Sequence, residues 1–373
     1  MLHNFDVQDF LLNYWQKKPM LISKAFSDPY WLEPSELAGL ACEEDVESRI
    51  IMQSDQKWQV ECGPFEESRF PTLPKRDWTL LVQGLDQWSP EVAEILRSFD
   101  FLPSWRLDDI MASYAPVGGT VSQHYDFFDV FLIQGEGSRK WQVGQVCSAD
   151  SELVPDTSVR ILTEFEPKLE VTLEPGDILY IPAKHAHLGV SVENSMTYSV
   201  GFRAPSIRDI VDGVATAALE GLKEDERYQD SIEALKAARG NIPEAAITRL
   251  REMLSEALTN ETLLANWLGE YVTERKYPEL ELVGESIEDW ESLLGEGELI
   301  QRNPASRFAY TTFKECLLYV DGTSYKCSAA LAEELADRQD LCRQRILDLV
   351  SDKQDKSVIA NLLESGALVL GDL

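Results

Sequence analysis

Residues 122–137 read SQHYDFFDVFLIQGEG, and residues 173–190 read LEPGDILYIPAKHAHLGV. In the first stretch His124 and Asp126 stand two positions apart. On an extended strand such residues point to one face, so an imidazole and a carboxylate are offered together to a divalent metal. A second imidazole has to come from another strand. The chain holds only His3, His124, His185 and His187, and two of these follow the apolar run ILYIP in the second stretch. Two His and one carboxylate on one side of an octahedral ion leave three positions open, the arrangement of non-haem Fe(II) oxygenases. Those positions accept a bidentate 2-oxo acid and O2. A lone H-x-D arises by chance in many chains; H-x-D followed by P-x-x-x-x-H within β-rich sequence is far more specific. His185 and His187 are themselves two apart, and by spacing either can be the third ligand.

A bound 2-oxo acid needs a cation for its far carboxylate. Arg139 and Lys140 lie in GSRKWQV, on the strand after the QGEG turn. Alternation lets only one of them face inward, and Trp141 shares the face of Arg139. Arg offers bidentate carboxylate recognition, whereas Lys offers a point charge. Solvated strand-end charges would give the same pattern. Asp129 could hold a cationic substrate or serve as a turn carboxylate. Ser113 and Thr197 are strand positions that could touch the co-substrate or be structural.

The surrounding texture is β-rich. DDIMASYAP, DVFLIQGEG, RKWQVGQV, LEVTLEPGD, ILYIPA, LGVSVE and MTYSVGFRA alternate with Gly, Pro and Asp turns. Many short strands at near-even spacing predict a sandwich or barrel. Ahead of it, 6–18, 35–49 and 78–88 read as helices and 20–23 as a strand, with Ser35 as an N-cap. After Ala204-Pro205 the pattern is almost wholly helical to about 275, with Pro243 opening one helix. Ile207, Val211, Val214, Ala218 and Leu222 form an apolar stripe, either a domain core or a partner surface. Beyond Tyr277-Pro278, helices flank a hairpin marked by Asp321-Gly322 between apolar runs, a pattern resembling a winged helix.

Bulk properties narrow the class. At 373 residues the chain is too long for one core. Its 34 Lys and Arg against 65 Asp and Glu give a net charge of −31. That surface repels nucleic acid and anionic membranes and attracts basic partners, although acidity also simply aids solubility. The six cysteines form no C-x-x-C pair and fit a reducing compartment. No secretory signal or membrane span is expected, so the expected location is the cytoplasm.

Together, HYD at 124–126, DVFLIQGEGSRKWQVG, LEPGDILYIPAKHAH, the opening FLLNYWQKKPMLISKAF and the later YSVGFRAPSIRDIV resemble the JmjC-type ribosomal oxygenases. The motif match spans about 5–210; the rest matches in order and size. The resemblance implies a mainly β catalytic domain, a cupin-like double-stranded β-helix (jelly roll), over 1–205. It further implies a helical dimerisation domain over 206–277 and an acidic winged-helix domain over 278–373. By position the metal ligands would be His124, Asp126 and His187, leaving His185 at the rim. Arg139 falls where the family places the basic residue for the 2-oxoglutarate C5 carboxylate. Arg at that position marks the bacterial branch, in which the cofactors are Fe(II), 2-oxoglutarate and O2. Bacterial members are similar to arginyl hydroxylases of the sixteenth large-subunit ribosomal protein, whereas eukaryotic members are histidyl hydroxylases. The implied partners are thus a basic ribosomal protein and a second copy of the chain. The family's winged helix does not bind DNA in the usual way, and residues 279–373 hold 9 Lys and Arg against 19 Asp and Glu. Two rivals remain at this level. A non-catalytic binding module would tend to have lost one of the four site residues. A cupin isomerase would more often present three His with a Glu, a set this chain lacks.

Overall fold

The computed structural model describes every residue except 1, 55–56, 156, 158, 288, 297–298, 339–340, 351 and 372–373. The chain divides into two compact units, Met1–Ala204 and Pro205–Leu373.

The first unit is built on two antiparallel sheets. Its strands are β1 (Met20–Ile22), β2 (Ser48–Ser54), β3 (Lys57–Cys62), β4 (Trp78–Val82), β5 (Leu107–Ala115), β6 (Asp129–Glu136), β7 (Arg139–Val146), β8 (Leu169–Leu173), β9 (Ile178–Ile181), β10 (His185–Ser191) and β11 (Ser195–Phe202). The larger sheet runs β1-β9-β6-β11-β5-β4-β2-β3 and the smaller runs β10-β7-β8. This is the expected cupin-like double-stranded β-helix.

Strand alternation sorts the side chains of the larger sheet. Phe131 and Ile133 of β6, Ile178 and Tyr180 of β9, and Tyr198, Val200 and Phe202 of β11 pack outward under the N-terminal segment. There the helices α1 (Val7–Asn13) and α2 (Pro34–Leu40) contribute Phe10 and Leu37. The Phe131 ring lies 4.8 to 6.4 Å from those of Phe10, Trp15, Phe99, Phe101, Tyr180 and Phe202. Intervening residues turn into the barrel. Leu132, Leu179 and Ile181 meet Trp141, Val143 and Leu173 of the smaller sheet.

Three local readings are corrected. Residues 78–88 are not one helix: Trp78–Val82 is the strand β4, followed by the short helices α3 (Leu85–Trp88) and α4 (Pro90–Ala93). All five β4 residues are buried between β2 and β5, so the strand lacks the polar alternation that would reveal it. The helix expected over 35–49 stops at Leu40, and Ser48 already starts β2. Its N-cap is Glu33, not Ser35. Pro34 takes the first helical position, and Glu33 and Glu36 close a capping box. Pro243 likewise caps a helix instead of opening it.

In the second unit α5 (Ile207–Gly221), α6 (Ile232–Leu235), α7 (Glu244–Leu258) and α8 (Glu261–Thr273) come first. Val214 and Ala218 are buried, but Ile207, Val211 and Leu219 of α5 and Ile247, Leu250 and Leu254 of α7 are exposed. The expected stripe is therefore covered only in part. The winged helix follows: α9 (Trp290–Glu296), β12 (Ile300–Arg302), β13 (Phe308–Thr311), β14 (Leu317–Val320), β15 (Thr323–Lys326), α10 (Ala329–Asp337), α11 (Arg343–Leu349), α12 (Lys353–Glu364) and β16 (Leu368–Leu370). The strands pair as a β13-β14-β15 meander and a β12-β16 ladder. Asp321 and Gly322 join β14 to β15 with φ of 50° and 79°, the doubly left-handed turn that matches strand twist. The Tyr319 hydroxyl donates to the Ala265 carbonyl at 3.3 Å, tying α8 to the meander. No helix among the described residues is long and apolar enough to cross a membrane.

Candidate active site

The segment before β6 pairs briefly with β10. His124 N–H donates to the His187 carbonyl at 3.0 Å, and His187 N–H returns the bond at 2.8 Å. This bridge places one histidine beside the other, and their ring centroids are 4.2 Å apart. Asp126 reaches the same point. Its Oδ2 lies 3.6 Å from His187 Nε2 and 3.9 Å from His124 Nε2. One donor atom from each of the three residues falls within 4.8 Å of the others.

The tautomers suit a metal. His124 Nδ1 lies 2.9 Å from the Ser122 carbonyl and His187 Nδ1 lies 2.9 Å from the His185 carbonyl. A carbonyl only accepts, so Nδ1 carries the proton in each neutral ring and Nε2 presents its lone pair. Burial, and after it the neighbouring His124, pushes His187 down to about 4. Its imidazole is thus neutral and ligand-ready at physiological pH. His185 stands outside the cluster. The β10–β7 register shifts between His185 and His187, which breaks the shared face that their spacing suggested.

Deeper in the barrel Arg139 is buried, and the Lys140 ammonium is outside, 2.8 Å from Glu170. Arg139 Nη1 donates to Ser113 Oγ at 2.8 Å; Nε and Nη2 donate to Ser195 Oγ at 3.3 and 3.2 Å. Ser191 and Ser195 hydroxyls are 2.8 Å apart. Burial pulls the guanidinium down only to about 10, so it stays charged, and among the described residues no carboxylate pairs with it. A guanidinium has five N–H donors, and hydroxyls take three of them. One N–H on each of Nη1 and Nη2 is left for a carboxylate from outside the chain.

The sequence candidates therefore separate. His124, Asp126 and His187 come together, and Ser113 touches Arg139. Thr197 lies opposite Ser113 on β5, but its hydroxyl donates to Gln134 Oε1 at 3.1 Å. Asp129 faces the other side of the sheet, where its carboxylate accepts from the Tyr180 hydroxyl at 2.7 Å and Gln16 Nε2 at 3.2 Å. Arg106 stands 3.6 Å away. Asp129 is a structural carboxylate, set aside from any substrate role because residue 129 has the outward parity of Phe131. Ser191 and Ser195 were missed: the register of β10 on β7, with Ser191 opposite Arg139, reveals the first, and the hydrogen bonds from Arg139 reveal the second at the start of β11. Trp141 shares the inward face of Arg139, as expected. Its ring centroid lies 6.1 Å from that of His187, and its indole nitrogen is buried without a hydrogen-bond partner among the described residues. The residue opposite it is Gly189, where a Cβ would stand 2.7 Å from the indole.

A JmjC domain model matches residues 94–210, and a ROXA-like winged helix model matches residues 254–369. The chain is 39% identical over 272 residues to the ribosomal protein uL16 3-hydroxylase of Escherichia coli, covering 72% of each protein. The chain belongs to the ribosomal oxygenases. As a member of that family it is a 2-oxoglutarate-dependent dioxygenase that works with a divalent metal. A probable ribosomal oxygenase of Haemophilus influenzae is 45% identical over 209 residues, spanning 55% of this chain and 52% of that one. Among solved structures, E. coli YcfD superposes with a TM-score of 0.89 at 33% identity, covering 99% of both chains. YcfD in complex with cobalt and 2-oxoglutarate superposes with a TM-score of 0.87 at 32% identity, covering 100% of this chain and 99% of that one. For this ribosomal oxygenase the family and fold are thus fixed, while the roles of individual residues rest on the geometry above.

Proposed function

We propose that the chain hydroxylates an arginine side chain of the large-subunit ribosomal protein uL16. In this reading His124, Asp126 and His187 hold Fe(II), and Arg139 receives the C5 carboxylate of 2-oxoglutarate. The observation that carries it is the pairing of a two-histidine, one-carboxylate cluster with a buried guanidinium that has no carboxylate partner among the described residues of the same barrel. The fit is chemical as well as spatial: two imidazole Nε2 atoms and a carboxylate oxygen converge, with Asp126 open to the exterior. When bound, the metal supplies the oxidising chemistry by which 2-oxoglutarate, O2 and a C–H bond become succinate, CO2 and C–OH.

The chain's own groups bind, orient and shield. The carbonyls of Ser122 and His185 fix the two rings. Ser113 and Ser195 fix the guanidinium without neutralising it, so the co-substrate meets a preorganised charge. Leu132, Leu179 and Ile181 keep the inner barrel dry, which strengthens the ion pair and protects the oxidant from water. The −31 charge favours encounter with a basic protein. The arginyl assignment rests on the resemblance to bacterial members, which carry Arg where this chain has Arg139, whereas the name of the E. coli relative supports uL16 as the target protein. A ribosomal target also supports a cytoplasmic location, and the acidic winged helix supports no direct DNA binding.

The test is mass spectrometry of purified uL16 incubated with the chain, Fe(II), 2-oxoglutarate and O2. A gain of one oxygen on an arginine, absent without 2-oxoglutarate, is expected. Succinate formation with uL16 unmodified would refute the substrate and keep the dioxygenase. Neither product would favour the non-catalytic binding module. We further propose homodimerisation through 206–277, supported by the exposed apolar residues of α5 and α7. Light scattering should then show a dimer that Val211→Glu with Leu250→Glu converts to monomer; a wild-type monomer would refute it.

A further inference from the structure

Beside the metal cluster and the guanidinium cradle stands a polar group that neither uses. Trp141 is buried, and its Nε1–H has no hydrogen-bond partner among the described residues. A buried N–H left unpaired is costly, so such a donor beside a metal ligand calls for an acceptor. Its position narrows the choice. Trp141 follows Arg139 by two residues on β7 and shares its inward face. Across the barrel wall it stands opposite Gly189, two residues after His187 on β10. The indole therefore lies between the metal ligand His187 and the carboxylate anchor Arg139. A Cβ at position 189 would collide with the indole, so Gly189 lets the ring lie flat against β10.

A 2-oxo diacid held by the metal at one end and by Arg139 at the other has to pass this ring. We propose that Trp141 Nε1–H donates a hydrogen bond to a carboxylate oxygen of bound 2-oxoglutarate, making Trp141 a third anchor of the co-substrate. The proposal rests on the co-substrate reading above. Its chemistry is selective. A neutral N–H adds no charge, so it favours an acceptor placed along the chain of the diacid without strengthening the binding of simple anions at Arg139.

The experiment is 15N–1H correlation NMR of the full chain labelled at tryptophan, loaded with diamagnetic zinc(II) and titrated with 2-oxoglutarate. The nine tryptophans give nine indole cross-peaks. The Trp141 peak is the one broadened most when cobalt(II) replaces zinc, because that ring lies 6.1 Å from the His187 ring. Assignment therefore does not depend on a variant that folds. The peak is expected to move downfield on adding 2-oxoglutarate. Calorimetry of Trp141→Phe should show affinity for 2-oxoglutarate weakened by about tenfold with zinc affinity unchanged. Wild-type binding of 2-oxoglutarate with the Trp141 peak still, or moved upfield, would overturn the proposal and leave the co-substrate reading intact. No heat of binding by the zinc-loaded wild type would overturn both, and an Arg139→Ala control that binds normally would locate the failure in the co-substrate reading.

Discussion

The two faces of the larger sheet carry the same strands and opposite chemistry. Outward, β6, β9 and β11 present Phe131, Tyr180, Tyr198 and Phe202 to an aromatic core. Inward, β5 and β11 present Ser113 and Ser195 to Arg139 and Thr197 to Gln134, all of them buried. One residue of parity separates stability from binding. The outer face buries large rings that cannot rearrange cheaply, and the inner face keeps hydroxyls that hold a charge in place without cancelling it. Asp126 and Asp129 condense the contrast: three residues apart, one opens onto the metal site and the other is locked among aromatic groups behind the sheet.

Substitutions on the two faces should therefore give different signatures. The largest effect is expected at the metal cluster. His187→Ala should abolish 2-oxoglutarate turnover and weaken metal binding by more than about 100-fold, with the melting temperature of the metal-free protein little changed. Retained metal affinity by calorimetry would break the assignment. Next, Arg139→Ala removes a charge-assisted bidentate partner, and the KM for 2-oxoglutarate should rise by about 100-fold or more, whereas Arg139→Lys should fall between. An unchanged KM would move the co-substrate anchor elsewhere. Phe131→Ala tests the outer face: a loss of about 3–5 kcal/mol in denaturant unfolding is expected, with KM intact in the folded fraction. A change in KM without a change in stability would contradict the division between faces. The smallest effect belongs to Asp129→Asn, which should cost about 1–3 kcal/mol of stability and leave arginine-substrate kinetics alone. A specific loss of substrate affinity there would restore the reading of that carboxylate as a holder of a cationic substrate.

Much of the site was legible because its residues obey strand parity. The spacing of His124 and Asp126, the run ILYIP before His187 and the turn Glu174–Asp177 are local signals, and they set the fold class too. What stayed hidden depends on register and burial. Ser191 looks like an ordinary strand-end serine until β10 is laid on β7, and Ser195 does until β11 is folded over Arg139. Spacing left His185 level with His187, since a bulge carries no sequence mark here; the family resemblance favoured His187. Trp78–Val82 read as helical because a strand covered on both faces loses its alternation. The N-cap at Glu33 was obscured by Ser35, a better capping residue by type but one place inside Pro34.

The hydroxyl cradle of Arg139 has a consequence for traffic into the barrel. A chain carrying −31 overall buries a positive charge that no carboxylate among the described residues pairs with. If uL16 is the protein substrate, as proposed, the two substrates meet opposite fields. A small dianion is repelled by the exterior and captured only at short range inside, whereas a basic protein is drawn in from afar. Salt, which screens the long-range field more than the buried one, should then hasten arrival of the first and slow that of the second, so the ionic strength of the medium sets which of them waits for the other.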